Sequence, residues 1–340
     1  VPTNEITGVA NMDSPTSNSS STNPGHEVES RAVYGVWVPL LTPLHGDLSI
    51  DTPRLASHAR WCLDRGCHGI ALFGTTGEAN SFTVAERMSA LEALLADGIE
   101  PQRLMIGSGC CALPDSIRLT RHAAELGCYK VLVLPPFYYK QVTDEGLLRA
   151  YAGLIEGVGE ARLQLLLYHF PGMSGIPISA RLIGDLGARF PRNLVGIKDS
   201  TGDWENTAAL IEAFPDLCVF PGTETLLLDA LGAGGCGCIT ATANINAGPI
   251  RAVFDAWLAD DGRQARAQEA IDRIRATIDA RPMIPALKQV VAHNLHDPAW
   301  REVRPPLLPL AADACAALIA ELEARHFAWG ASSAQASAPE

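Results

Sequence analysis

One unit recurs eight times between Tyr34 and about residue 260, and it constrains the fold more than any other feature of the chain. Each unit is a short apolar run rich in β-formers, followed by an amphipathic stretch of helical period. The runs begin at Tyr34 (YGVWVPLL), Gly69 (GIALFG), Leu104 (LMIGSG) and Lys130 (KVLVLPP). Four more begin at Leu163 (LQLLLYHF), Leu194 (LVGIKD), Leu217 (LCVFPG) and Cys236 (CGCITAT). Apolarity without alternation marks strands buried on both faces, as parallel sheets require. The intervening stretches carry helix-start chemistry. Thr83-Val-Ala-Glu86 reads as a capping box, and Pro114, Thr143 and Ser179 open similar stretches. Eight such units predict an α/β fold, a closed (β/α)8 TIM barrel; an open doubly wound sheet carries the same periodicity.

From Gly262 to Phe327 the pattern turns wholly helical, with breaks at Pro282, Pro285 and Arg304-Pro305-Pro306. The expected organisation is therefore a disordered N-terminal extension (1–31), a catalytic barrel (32–260), a helical C-terminal extension (261–328) and a flexible tail (329–340). The first segment holds Ser14, Ser17, Ser19, Ser20 and Ser21 among Thr, Asn and Pro, without the apolar core of a signal peptide.

Composition narrows the partners. Of 340 residues, 47% are apolar and only 19% charged, a lean surface that suggests area hidden in a homo-oligomer. The net charge is −12 and no basic run exists, which argues against nucleic acid. No stretch approaches the ~18 apolar residues of a membrane span. The nine cysteines are odd in number and lack Cys-x-x-Cys spacing, so reduced thiols in a cytoplasmic protein are expected.

On a barrel, chemistry gathers where the strands end. The second run ends Gly74-Thr75-Thr76-Gly77-Glu78, and the fourth leads into Phe137-Tyr138-Tyr139-Lys140. The fifth ends Tyr168-His169-Phe170-Pro171, and the sixth holds Lys198-Asp199-Ser200. The chain has 22 Arg but only four Lys, so a lysine inside an apolar strand stands out. A buried amine loses hydration of its charged form and becomes a nucleophile toward carbonyls, which a guanidinium cannot be. The competing reading pairs Lys198 with Asp199. Lys130 and Lys140 fit surface roles, and Lys288 falls in the helical extension. The glycine-flanked amides at 74–78 suit a carboxylate or phosphate, but taken alone they read first as a plain strand-to-helix turn, with Thr75 and Glu78 as a local capping pair. Tyr168 can place its phenol beside Lys198 as a proton carrier, or serve as packing. His169 can line the mouth or be structural. Gly232-Ala-Gly-Gly-Cys-Gly237 matches a dinucleotide fingerprint only literally, because it precedes a strand instead of following one. The scattered histidines, of which only His293 and His296 are close, offer no metal set.

Taken in order, Gly-Thr-Thr-Gly-Glu (74–78), Tyr138-Tyr139, Leu-Tyr-x-x-Pro (167–171) and Gly-Ile-Lys-Asp (196–199) resemble the dihydrodipicolinate synthase/N-acetylneuraminate lyase family over roughly Tyr34 to Phe327. These are class I, Schiff-base pyruvate aldolases and lyases on a barrel with a helical extension. The resemblance implies that Lys198 condenses with the ketone of pyruvate or another 2-oxo acid and that Tyr168 shuttles protons. It also implies that Thr75 relays them, and that Thr76 and Gly77 clamp the carboxylate. Tyr138 or Tyr139 corresponds to a tyrosine that reaches a neighbouring subunit. Gly222 and Ile239 correspond to positions facing the lysine, and Met173 stands where dihydrodipicolinate synthases carry an arginine for the second substrate's carboxylate. Met cannot form that bidentate pair. The Gly-Ile-Lys-Asp-Ser segment is closer to the aldolases of 2-keto-3-deoxy sugar acids and 4-hydroxy-2-oxoglutarate, and this chemistry requires no metal or organic cofactor.

Overall fold

The computed structural model describes residues 24–332. All eight runs are strands: β1 Gly35–Pro39, β2 Gly69–Leu72, β3 Leu104–Gly107, β4 Lys130–Val133, β5 Gln164–His169, β6 Leu194–Asp199, β7 Cys218–Pro221 and β8 Gly237–Ile239. They are parallel and lie in sequence order from β1 to β7, and β8 pairs with β1. The Cys236 amide donates to the Val219 carbonyl at 3.0 Å and joins the two ends of the sheet. The fold is a (β/α)8 barrel, and the open-sheet alternative falls because β8, paired with β1, is also tied to β7 through that bond. The Thr83–Glu86 capping box forms in both directions, at 2.8 and 3.2 Å.

Alternation along each strand divides the core into two shells. Leu165, Leu167, Ile197 and Val219 face outward into the layer between sheet and helices. Trp37, Met105, Leu132, Leu166, Tyr168, Phe220 and Ile239 face inward and fill the lumen. A third cluster, built on Leu287, Val290, Val291 and Trp300, belongs to the extension. Its helices, Gln264–Asp279, Met283–Asn294 and Ala312–Ala324, follow the last barrel helix, Ala243–Ala259. No helix among the described residues is long and apolar enough to cross a membrane.

The extension is fastened to the barrel mouth by a buried ion pair. Lys288 meets the Glu78 carboxylate, with both side chains wholly inaccessible, and donates to the Glu302 carbonyl at 2.6 Å. The second Glu78 oxygen accepts from the Arg304 amide at 2.9 Å. Burial pushes the pKa of Lys288 down, and Glu78 pulls it back up. Removing one member strands the other charge in a dry site. Lys288→Met is therefore expected to cost about 3–5 kcal/mol, measured by urea unfolding, and a loss below ~1 kcal/mol would mean that water replaces the amine.

Within the N-terminal segment 1–31, Pro24–Glu29 is helical, Val28 packs into the outer core, and Arg31 donates to the Pro215 carbonyl at 2.7 Å. At the start of segment 329–340, Trp329 stacks on Trp61 at 4.5 Å. Apolar residues isolated in polar sequence found partners too distant for a local reading to supply. Residues 1–23 and 333–340 lie outside the described residues.

Candidate active site

β6 brings Lys198 into the lumen, because its neighbours Ile197 and Asp199 occupy the opposite pleat. Two residues below, a β-carbon at Gly196 would lie 2.4 Å from the Cys218 carbonyl oxygen, so the strand approaches β7 closely there. Lys198 is 4% exposed and sits in register between Tyr168 on β5 and Phe220 on β7. Its Nζ donates to the Tyr168 hydroxyl at 3.4 Å and lies 4.5 Å from that ring's centroid. The Tyr168 hydroxyl in turn lies 3.2 Å from Thr75 Oγ1. Residues from the second, fifth and sixth units thus form one chain: amine, phenol, hydroxyl.

Asp199 does not pair with Lys198. It points to the outer shell, where it accepts from Thr201 (amide 3.1 Å, hydroxyl 3.0 Å), Asn206 (2.9 Å) and Thr207 (2.7 Å) and fixes the loop after β6. The period of two decides this, since adjacent strand residues face opposite ways. His169 follows the same rule. It is buried on the outer pleat with Nδ1 3.7 Å from Asp199, and burial lowers its pKa against the pull of that carboxylate. It stands apart from the Lys198 chain.

The turn after β2 supplies Thr75 and a set of amides. Glu78 N–H donates to the Thr75 carbonyl at 3.0 Å, and Ala79 N–H to that of Gly74 at 3.3 Å. Among the described residues, no hydrogen bond takes up the amides of Thr76 and Gly77. Thr76 is buried, and the Gly77 carbonyl accepts from Thr42 at 2.8 Å. A β-carbon on Gly77 would lie 2.8 Å from the Leu40 carbonyl oxygen, so the turn closes only without one. The Glu78 side chain forms no capping pair with Thr75; it turns away to Lys288.

Other expected residues occupy the walls and rim. Ile239 is wholly buried in the lumen, in register with Trp37. Gly222 lies two residues beyond Phe220, and a β-carbon there would strike Ser200 Oγ at 2.1 Å. Tyr138 and Tyr139 are about three-quarters exposed and meet edge to face at 5.3 Å. Met173, in the short helix Pro171–Ser174, is also exposed. Lys140 clasps these two loops together: its amine donates to the Ser174 carbonyl at 2.8 Å and also to that of Phe137. None of the three touches the Lys198 chain within this subunit. The sequence reading missed Phe170, whose ring stacks on Tyr168 at 5.8 Å; its place after a strand-end tyrosine was the available signal.

Comparison with known proteins gives the family. The model of the dihydrodipicolinate synthetase family matches residues 32–325. An uncharacterised DapA-like lyase of Chloroflexus aurantiacus is 38% identical over 85% of this chain and 96% of its own length. A 4-hydroxy-tetrahydrodipicolinate synthase of Thermus thermophilus is 34% identical over 67% of this chain and 75% of its own. The crystal structure of dihydrodipicolinate synthase from Agrobacterium tumefaciens superimposes with a TM-score of 0.79 at 30% identity, covering 86% of this chain and 99% of that one. With the family motifs in order along the strands of a (β/α)8 barrel, this chain belongs to the dihydrodipicolinate synthetase family and is a Schiff-base-forming lyase.

Proposed function

We propose that this enzyme forms or cleaves a carbon–carbon bond of a 2-oxo acid through an imine on Lys198, with pyruvate as donor or product. The larger compound would be a 2-keto-3-deoxy sugar acid or a 4-hydroxy-2-oxoglutarate type. The observation that carries this reading is the buried run from Lys198 Nζ through the Tyr168 hydroxyl to Thr75 Oγ1, at 3.4 and 3.2 Å.

The chemistry follows from those atoms. The lone pair of the Lys198 amine attacks C2 of the keto acid; Tyr168 delivers a proton to the oxygen and takes one back from the nitrogen, giving a carbinolamine. Loss of water, again with a proton from Tyr168, leaves the iminium. In cleavage, a base removes the C4 hydroxyl proton and the C3–C4 electrons flow into the iminium. The aldehyde departs, leaving an enamine that takes up a proton at C3. Water then hydrolyses the imine and frees pyruvate and the amine. The unengaged amides of Thr76 and Gly77 suit the keto acid's carboxylate and would hold C2 against Nζ, so that attack is effectively intramolecular.

Condensation of pyruvate with aspartate semialdehyde, as in 4-hydroxy-tetrahydrodipicolinate synthases, is the second reading, favoured by the names of the Thermus and Agrobacterium relatives. Met173 weighs against it, because a thioether offers a carboxylate no charge-assisted donor. The only lysine on that rim, Lys140, is engaged by two carbonyls. A panel reading pyruvate released from keto-deoxy sugar acids and hydroxy-oxoglutarate, against pyruvate consumed with aspartate semialdehyde, separates the two. Release at least tenfold faster than consumption, in kcat/KM, is expected; the reverse order would assign the synthase. A barrel that only binds a 2-oxo acid would be stabilised by pyruvate and turn over nothing in either arm. The exposed Tyr138–Tyr139 pair supports a homo-oligomer in which one of them completes a neighbouring mouth, and nine free cysteines suit a reducing cytoplasm.

A further inference from the structure

Between the barrel's last helix, the helix Gln264–Asp279 and the segment leading to Ala331 lies a cavity of about 1140 Å³, which shares no lining residue with the Lys198 chain. In a chain of net charge −12, five arginines line it: Arg65, Arg263, Arg266, Arg273 and Arg325. Arg263 is paired with Asp261, and Arg325 with Glu321. Arg65 and Arg273 make no side-chain hydrogen bond or ion pair among the described residues, and His326 also lines the site. Such a concentration of one sign in a concave site focuses a positive field whatever the overall charge.

A second observation points the same way. Asn246 lines this cavity and is 4% exposed, yet its amide Nδ2 has no hydrogen-bond partner among the described residues. It sits where the helix Ala243–Ala259 loses helical geometry, at φ −132° and ψ 30°. A buried donor left unsatisfied is destabilising, and a ligand oxygen would satisfy it. The rest of the wall is apolar, with Ile274, Phe327 and Trp329 among its members. Residues 326–331 of this wall lie beyond the 32–325 match to the family model.

We propose that the cavity binds an organic phosphate carrying at least two negative charges. Guanidinium groups match phosphate oxygens in pairs, the Asn246 amide supplies a neutral donor, and the apolar wall covers an organic body. The volume slightly exceeds the roughly 300–1,000 Å³ of ordinary ligand pockets, which suits a compound the size of a nucleotide or a sugar bisphosphate. These two sources share one recognition chemistry.

The test is calorimetric titration of the full-length protein with adenosine diphosphate, a hexose bisphosphate and inorganic pyrophosphate in parallel, followed also by Trp329 fluorescence. Saturable binding of one organic ester, tighter than pyrophosphate, is expected, and the preferred ester identifies the source. Arg273→Ala, on an exposed helix face, and Arg65→Ala are each expected to weaken it about tenfold, the scale of one charge-assisted contact. Asn246→Leu is a further probe, and unchanged pyruvate chemistry at Lys198 reports that each variant is folded. Absence of saturable binding by all three probes, affinity undiminished in the double arginine variant, or pyrophosphate binding as tightly as either ester would overturn the proposal.

Discussion

Borohydride added with pyruvate is expected to leave one reduced three-carbon adduct per chain, at Lys198, and Lys198→Arg is expected to lose both the adduct and turnover. Reduction traps an imine only where an amine has lost its proton and attacked a ketone, so the peptide that carries the added mass names the nucleophile. The protein contains its own control. Lys288 is as deeply buried as Lys198, but its amine is tied to Glu78 and to the Glu302 carbonyl. A label that merely followed burial would divide between the two. A label that follows chemistry goes to Lys198, whose Nζ faces a phenol and not a carboxylate. Arginine keeps a long cationic side chain yet supplies no nucleophile. Without the imine there is no electron sink for the C3 bond, and kcat should fall by at least about 10⁴. Adduct at Lys288, or undiminished turnover in the variant, would remove Lys198 from its assigned role.

The strands were legible because burial on both faces leaves a continuous apolar run, and every predicted run is a strand within one residue of its start. Closure was not legible, since periodicity is the same for a barrel and an open sheet; the β1–β8 ladder together with the Cys236–Val219 bond to β7 decides it. Within the site, the scarcity of lysine against arginine singled out position 198 correctly as a residue inside a strand. The same argument applied to Lys288, which was passed over because its helix carries no chemical motif. Its partner Glu78 is 210 positions away, a separation that no local pattern bridges. The period of two also held more than was drawn from it. It places Lys198 and Tyr168 on one pleat and Asp199 and His169 on the other, so the Lys198–Asp199 pair and a mouth-lining His169 were already disfavoured by strand geometry. Tyr138, Tyr139 and Met173 lie exposed on one rim, where a single chain leaves them without partners in the site.

Tyr168→Phe should slow turnover by roughly two to four orders of magnitude, the range for a lost general acid–base group, while leaving the fold intact. The ring is what packs: it is 3% exposed, stacked beside Phe170 and lodged in the lumen cluster, and phenylalanine preserves all of this. Only the hydroxyl is removed, and with it the contact to both Thr75 and Lys198. The loss should fall on kcat more than on KM, because a proton donor at the carbinolamine acts in the transition state and not on the bound keto acid. Borohydride trapping should still reach one adduct in this variant, but slowly, since the nucleophile remains and only its acid is missing. Thr75→Val gives the complementary case. That hydroxyl touches Tyr168 and not Lys198, which makes Thr75 a positioning residue for the phenol, and its removal should cost about tenfold, close to one neutral hydrogen bond. In the double variant the two losses should not add, because removing the phenol already removes what Thr75 positions. Full additivity would place Thr75 on the substrate instead, in the carboxylate site with Thr76.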